Sequence, residues 1–293
     1  MSVLRRAGAL VVVALGCAHG SPADAGPVVK LALRSGPGLR VAGTVGGAAA
    51  DVRLAIEEPR SLLSARCLGA VPSSEVQVRL PALEGGWATA PEIPLTGVTL
   101  GSAKLPAFRA AVLPGESCTL ALGLDVLGRS ILDIDLDAGT VTIGREMPAL
   151  PAALEQLQVE VSRAPDTDRL LAAVQLTGSA ATVLQTLFVA TGRSTELGQF
   201  QARMLGAQSV LRIAQLAPGW EACDVPVRVR TDWTRTPVIG ALGPEGWGAR
   251  RVVLDLAAPR MTLLRPRGAP APPCRRVEDA GTGVAGNGER EPR

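Results

Sequence analysis

The side chains available for chemistry in this sequence are carboxylates. Histidine, the commonest proton carrier near neutral pH, occurs once, as His19, and tyrosine is absent. Ser-His-Asp and Cys-His catalysis, zinc held by histidines and haem on a proximal histidine therefore lack their residues in the body of the chain. Any hydrolysis would have to run on acids. The candidates are the adjacent Glu57 and Glu58, Asp137-Ala138-Gly139-Thr140, Asp166-Thr167-Asp168, and Asp135 with Asp255. The Asp137 segment lies between two β-type runs and reads as a hairpin turn. The Asp166 segment reads as a polar loop ahead of a strand at 170–176. Asp135 and Asp255 recur at matching positions and read as strand residues. Glu57 and Glu58 remain, either as acids with a role or as a solvated loop paired weakly with Arg60.

Cysteine chemistry points to export. Residues 1–16 carry Arg5 and Arg6 ahead of an apolar run too short to span a bilayer, the pattern of a secretory signal. The run ends at Ala14-Leu15-Gly16-Cys17, which resembles the bacterial lipoprotein signal; on that resemblance Cys17 is the lipidated first residue of the mature chain, anchored in the cell envelope. Cleavage a few residues later is the alternative. Ala18, which is not aspartate, points to the outer membrane under the sorting rule of such proteins. Cys67, Cys118, Cys223 and Cys274 remain, an even number in an exported chain. Of the three connectivities, Cys67–Cys118 with Cys223–Cys274 staples each half separately and is preferred over the others and over buried free thiols. No CxxC spacing occurs, so neither a metal nor a redox cofactor is expected. The formal charge is +3, from 30 basic and 27 acidic residues, with no basic run beside aromatics. Nucleic-acid binding is not expected.

The elements that must position these residues are strands. Val/Leu/Ile-rich runs at 28–33, 52–56, 76–80, 98–100, 131–136 and 140–143 alternate with Gly, Pro and Asp turn signals, an all-β pattern. Short helices are predicted at 61–68 and 196–205. After Pro266 the sequence is mostly Gly, Pro and charge and is expected to be a disordered tail, 267–293. The chain of 293 residues can bury one large core or two of roughly 100 to 150 residues, and internal repetition favours two. Leu122-Gly123-Leu124-Asp125-Val126-Leu127-Gly128, with Leu132-Asp133-Ile134-Asp135-Leu136 and Val141-Thr142-Ile143, recurs 120 residues later as Leu242-Gly243-Pro244-Glu245-Gly246-Trp247-Gly248, Leu254-Asp255-Leu256 and Met261-Thr262-Leu263. Upstream, 54–61 matches 187–194 at an offset of 133, which pairs Glu57 with Ala190. The expected organisation is a signal at 1–16, a tether at 17–26, lobes at 27–148 and 157–266, and a linker at 149–156.

With these landmarks the sequence resembles the retropepsin-like and pepsin-like aspartic proteases. Each lobe of that family runs strand, Asp-Thr/Ser-Gly loop, short helix, flap hairpin, and a closing Leu-Gly-x-Asp-x-Leu pattern. Gly85-Gly86-Trp87 sits where the flap glycines belong, Leu100-Gly101 to Phe108 resembles the middle turn, and 122–143 is the closest match. The resemblance implies two tandem β-barrel lobes with a cleft between them. Catalysis in that family needs one aspartate from each lobe, the two sharing a proton, one activating water and the other protonating the peptide carbonyl. Here Glu57-Glu58-Pro59 and Ala190-Thr191-Gly192 stand in the Asp-Thr-Gly positions, so neither aspartate is present.

The resemblance therefore implies a pseudoprotease. Glu57 is one methylene too long for a centre that tolerates about 0.5 Å, and Pro59 replaces the turn glycine. Ala190 removes the second acid, while Thr191 and Gly192 preserve the loop. The cleft residues expected to contact an extended peptide or partner protein are Glu58, Gly85, Gly86, Trp87, Thr191 and Gly192. Trp87 is either a flap tip that closes on a ligand or a cap on its own lobe. Trp220, Trp233 and Trp247 read as packing residues, Trp247 aligning with Leu127. Two rival readings are an unconventional protease recruiting Glu196 as the second acid, and a structural envelope lipoprotein.

Overall fold

The computed structural model describes residues 28–69, 76–82, 86–231, 233, 238, 240–268 and 274. The signal segment, the tether with Cys17, Gly85 and nearly all of the tail lie outside the described residues. Strands dominate, and their residues alternate as half-buried strands must. In Leu170–Thr177, Leu170, Ala172, Val174 and Leu176 face the core while Ala173 and Gln175 face water. Ala48–Leu54 buries Ala50, Val52 and Leu54 in the same way.

The expected strands appear as Val29–Ala32, Ala48–Leu54, Gln77–Pro81, Val98–Leu100, Ile131–Asp135 and Thr140–Gly144. The two expected helices are shorter than their patterns suggested. Leu62–Ser64 is a strand and only Ala65–Leu68 is helical, as a 3₁₀ turn; Glu196–Gly198 is a strand and the helix is Gln199–Leu205. Tertiary pairing overrides local propensity at both places. Leu62–Ser64 runs parallel to Phe108–Leu113, and Glu196–Gly198 runs parallel to Arg228–Arg230.

Three sheets result. A nine-stranded sheet gathers strands of the first half, an eight-stranded sheet those of the second, and a six-stranded sheet takes three strands from each. At the centre of the shared sheet Ile131–Asp135 lies antiparallel to Arg251–Asp255, with Asp133 opposite Val253. These two residues are 120 apart, the offset of the sequence repeat, so an approximate two-fold axis passes between them. Leu132, Ile134, Val252 and Leu254 are fully buried on one face of this seam, and Arg251 holds Asp133 with two hydrogen bonds of 2.9 and 2.8 Å.

Each lobe repeats one crossing. In the first, Thr119–Leu122 runs parallel to Ala48–Leu54 on one side and antiparallel to Leu62–Ser64 on the other. In the second, Gly240–Leu242 lies in the same way between Thr182–Val189 and Glu196–Gly198. The loop after the first strand of each triplet, at 55–61 and 190–195, is therefore pressed against the Leu-Gly that ends the third. Gly123 and Gly243 are required by this approach: a Cβ would meet Glu58 O at 2.7 Å in one lobe and Arg193 O at 2.7 Å in the other.

The turns and cysteines follow the sequence. Asp137-Ala138-Gly139 forms the hairpin turn between Ile131–Asp135 and Thr140–Gly144, with Asp135 Oδ1 accepting from Ala138 N–H at 2.8 Å. Asp255 Oδ1 caps the equivalent turn by accepting from Ala257 and Ala258 N–H. Disulfides join Cys67 to Cys118 and Cys223 to Cys274, which points to an extracytoplasmic protein. Among the described residues no helix is long and apolar enough to cross a membrane. Trp247 is fully buried, and Trp220 and Trp233 are buried as well.

Candidate functional site

The two crossing loops meet on the two-fold axis, and their backbone bonds establish which residues correspond. Ala55 N–H donates to Leu122 O at 2.9 Å, and Ala190 N–H donates to Leu242 O at 3.0 Å. Leu122 and Leu242 are themselves counterparts at the repeat offset. The counterpart of Ala190 is therefore Ala55, and Ile56 and Glu57 correspond to Thr191 and Gly192. The offset in this loop is 135 rather than 133, and the expected pairing of Glu57 with Ala190 is corrected accordingly. The hydroxyls fix the far end of each loop. Gly123 N–H donates to Ser61 Oγ at 3.1 Å and Gly243 N–H to Thr195 Oγ1 at 3.0 Å. Ser61 N–H is in turn held by Asp125 and Thr195 N–H by Glu245. Ser61 follows Ala55 by six positions and Thr195 follows Ala190 by five, so the first loop is one residue longer.

Across the axis the two loops are clasped, but only one side of the clasp is built as the symmetry requires. Thr191 Oγ1 accepts from Ile56 N–H at 3.1 Å and donates to Leu54 O. The symmetric bond would come from a hydroxyl at position 56, where the isoleucine has none. Glu57 supplies the replacement. Its Oε2 accepts from Thr191 N–H and Gly192 N–H, both at 3.1 Å, and its Oε1 lies 3.3 Å from Arg193 Nε. Glu57 is 1% exposed. Gly192 leaves room for it: a Cβ there would meet Ala55 Cβ at 2.7 Å and Glu57 Oε1 at 2.8 Å. Thr191 and Gly192 lie against the first-lobe loop, and the reach of Glu57 across the axis was not legible in the sequence.

Arg193 is the centre of charge. Its guanidinium contacts Glu57 at 3.3 Å, Glu58 at 2.6 Å and Glu196 at 3.4 Å, and Glu196 also pairs with Arg230 at 3.6 Å. Burial works to lower the Arg193 pKa, but the charges of Glu57, Glu58 and Glu196 prevail and hold it above its usual value. Burial raises the Glu58 pKa above the ordinary carboxylate range; Arg193 and Arg169 oppose this and Glu57 reinforces it. Glu196 is thus brought onto the same arginine as Glu57 and Glu58, with that cation between the acids. Two carboxylates sharing a proton need close approach without a neutralising ion. Arg193 makes this a set of ion pairs instead.

The other residues singled out by the sequence divide by lobe. Ala190 is fully buried in an apolar cluster with Phe188, Trp233, Val238 and Ala241. Trp87 opens the second strand of the hairpin formed by Gln77–Pro81 and Trp87–Leu95, is 55% exposed, and has the Arg79 guanidinium stacked 4.9 Å from its ring. Gly86 precedes it with φ 85°, a conformation suited to glycine in a turn. Asp166 and Thr167 lie in a turn, and Asp168 adopts a φ of 55° before the strand that starts at Leu170. Among the described residues no group of three or more His, Cys, Asp or Glu side chains converges as a metal site.

No protein-family model matches this sequence, and no curated protein sequence matches it. Solved structures do. The crystal structure of an aspartic proteinase from Irpex lacteus superposes with a TM-score of 0.50 at 13% identity, covering 84% of this chain and 100% of that one. The chain has an all-β, two-lobed fold like that of the aspartic proteinases.

Proposed function

We propose that this protein is an exported lipoprotein that keeps the aspartic-protease architecture without its hydrolytic centre, and that its inter-lobe cleft binds an extended peptide or a partner protein. The observation that carries the reading is the central pair: Ala55 and Ala190 occupy the counterpart positions, and Glu57 in the same loop is committed to two backbone N–H groups and an arginine. An acid so engaged is turned to holding the second-lobe loop, and no carboxylate stands at the counterpart position across the axis to share a proton with it. The lobes are taken as 27–148 and 157–266, and Cys17 as the lipid-bearing residue.

Incubating the purified mature chain with an unstructured protein and a diverse peptide pool, from acid to neutral pH, tests the reading. No cleavage is expected, and peptides should be retained saturably. Cleavage that disappears in Glu57→Gln or Glu58→Gln would overturn it in favour of an unconventional protease. Absence of both cleavage and retention would leave a structural envelope module. Mass spectrometry of the membrane-extracted chain, with Cys17→Ala as control, tests the anchor.

A further inference from the structure

Neither the clasp nor the loss of hydrolysis accounts for a buried arginine between the hairpin and the central loops. Arg169 immediately precedes the strand Leu170–Thr177 and is 2% exposed. A guanidinium carries five N–H donors in a planar fork and no acceptor, so burying one requires acceptors placed around its rim. Here Nε donates to Glu57 O at 2.7 Å, Nη2 to Pro81 O at 2.5 Å and Nη1 to Ala82 O at 3.4 Å. Glu58 Oε2 lies 3.9 Å from Nη2 as the countercharge, and the ring centroid of Phe188 is 5.4 Å from Cζ. Carbonyls along the fork, a carboxylate and an aromatic face together make a receptor for a guanidinium. Its walls come from the first-lobe loop, the end of the hairpin strand Gln77–Pro81 and the second-lobe strand Thr182–Val189. That hairpin strand is the edge of its sheet, and Arg169 joins its end to the second lobe.

We propose that this space is a guanidinium-recognition site filled at rest by the chain's own Arg169, and that an extended partner presenting an arginine side chain takes its place when the hairpin lifts. The inference rests on the cleft-binding reading above and names its ligand class. Because the resting state is self-occupied, affinity for an arginine supplied in trans is reduced by the fraction of molecules with the hairpin raised.

The test is chemical rescue of Arg169→Ala in the full mature chain. N-ethylguanidinium at about ten times its dissociation constant should raise the variant's Tm by about 3 °C. Ethylammonium should do less, and neither should shift the parent or Arg169→Met, whose side chain fills the space. An N-acetylated tripeptide with central arginine should bind Arg169→Ala at least about ten-fold more tightly than it binds the parent, and more tightly than its alanine analogue. Should Arg169→Ala not fold unaided, its refolding yield with and without N-ethylguanidinium gives the same readout. An Arg169→Ala variant that ignores N-ethylguanidinium, or a shift in the parent or Arg169→Met as large as that in Arg169→Ala, overturns the proposal. Peptide cleavage is followed in the same samples; cleavage with rescue would refute the loss of hydrolysis while leaving the guanidinium site standing.

Discussion

Glu57 shows how one side chain can replace a symmetric contact with a different chemistry. Because Ile56 has no hydroxyl to offer Thr191 N–H, a carboxylate from the next residue crosses the axis and takes both Thr191 and Gly192 N–H. Removing it leaves two buried donors and part of Arg193 unsatisfied, so Glu57→Ala should lower unfolding free energy by about 3 kcal/mol, measured by denaturant titration. Glu58 makes the opposite contribution. Burial raises its folded-state pKa above the ordinary value of 4.5, so its ionisation opposes folding. Stability that is fully present below the unfolded pKa is lost as pH rises through the folded one. Glu58→Gln never ionises, so its Tm minus that of the parent should become more positive as pH rises above the ordinary carboxylate value of 4.5. A difference independent of pH would contradict this account.

At the scale of the elements, the two crossing loops hold the lobes in register. Thr191 is the one side chain that makes the clasp the two-fold axis calls for, accepting from Ile56 N–H and donating to Leu54 O. Thr191→Val keeps shape and removes both bonds, and should cost about 2 kcal/mol. The comparison variant is Thr195→Val, whose hydroxyl accepts from Gly243 N–H within its own lobe. Both should destabilise, but only Thr191→Val should increase hydrogen exchange at Ile56, in the other lobe.

At the scale of the whole molecule, the shared six-stranded sheet makes the two lobes one body. Val252 and Leu254 of one lobe and Leu132 and Ile134 of the other bury the same seam, so denaturant unfolding of the oxidised chain should give a single transition seen alike by fluorescence and circular dichroism. Each disulfide closes a separation of 51 residues. Loop closure of that length is worth about 4 kcal/mol. Reduction should therefore lower the denaturation midpoint sharply, and the oxidised Cys67→Ala/Cys118→Ala chain should show roughly half of that loss.

The sequence by itself determined the strands with clear alternation, the repeat at 120 and the closing turns at Asp135 and Asp255, and it favoured the cysteine pairing that the structure has. These follow from alternation, turn chemistry and chain order, which act over short spans or are marked by rare residues. It also showed that neither crossing loop carries Asp-Thr-Gly. Only the tertiary structure decided that Ala55, and not Glu57, is the counterpart of Ala190. Two adjacent glutamates drew the alignment toward a carboxylate, whereas Leu54-Ala55 against Val189-Ala190 offered only small and apolar residues. The bond from each alanine to the leucine 120 residues removed from its counterpart resolves the register. The strands at Leu62–Ser64 and Glu196–Gly198 were hidden for a similar reason, since parallel partners far along the chain set their conformation. Arg169 was silent in sequence as well: its carbonyl partners at Glu57, Pro81 and Ala82 lie 87 to 112 residues away, and backbone acceptors leave no mark on residue type.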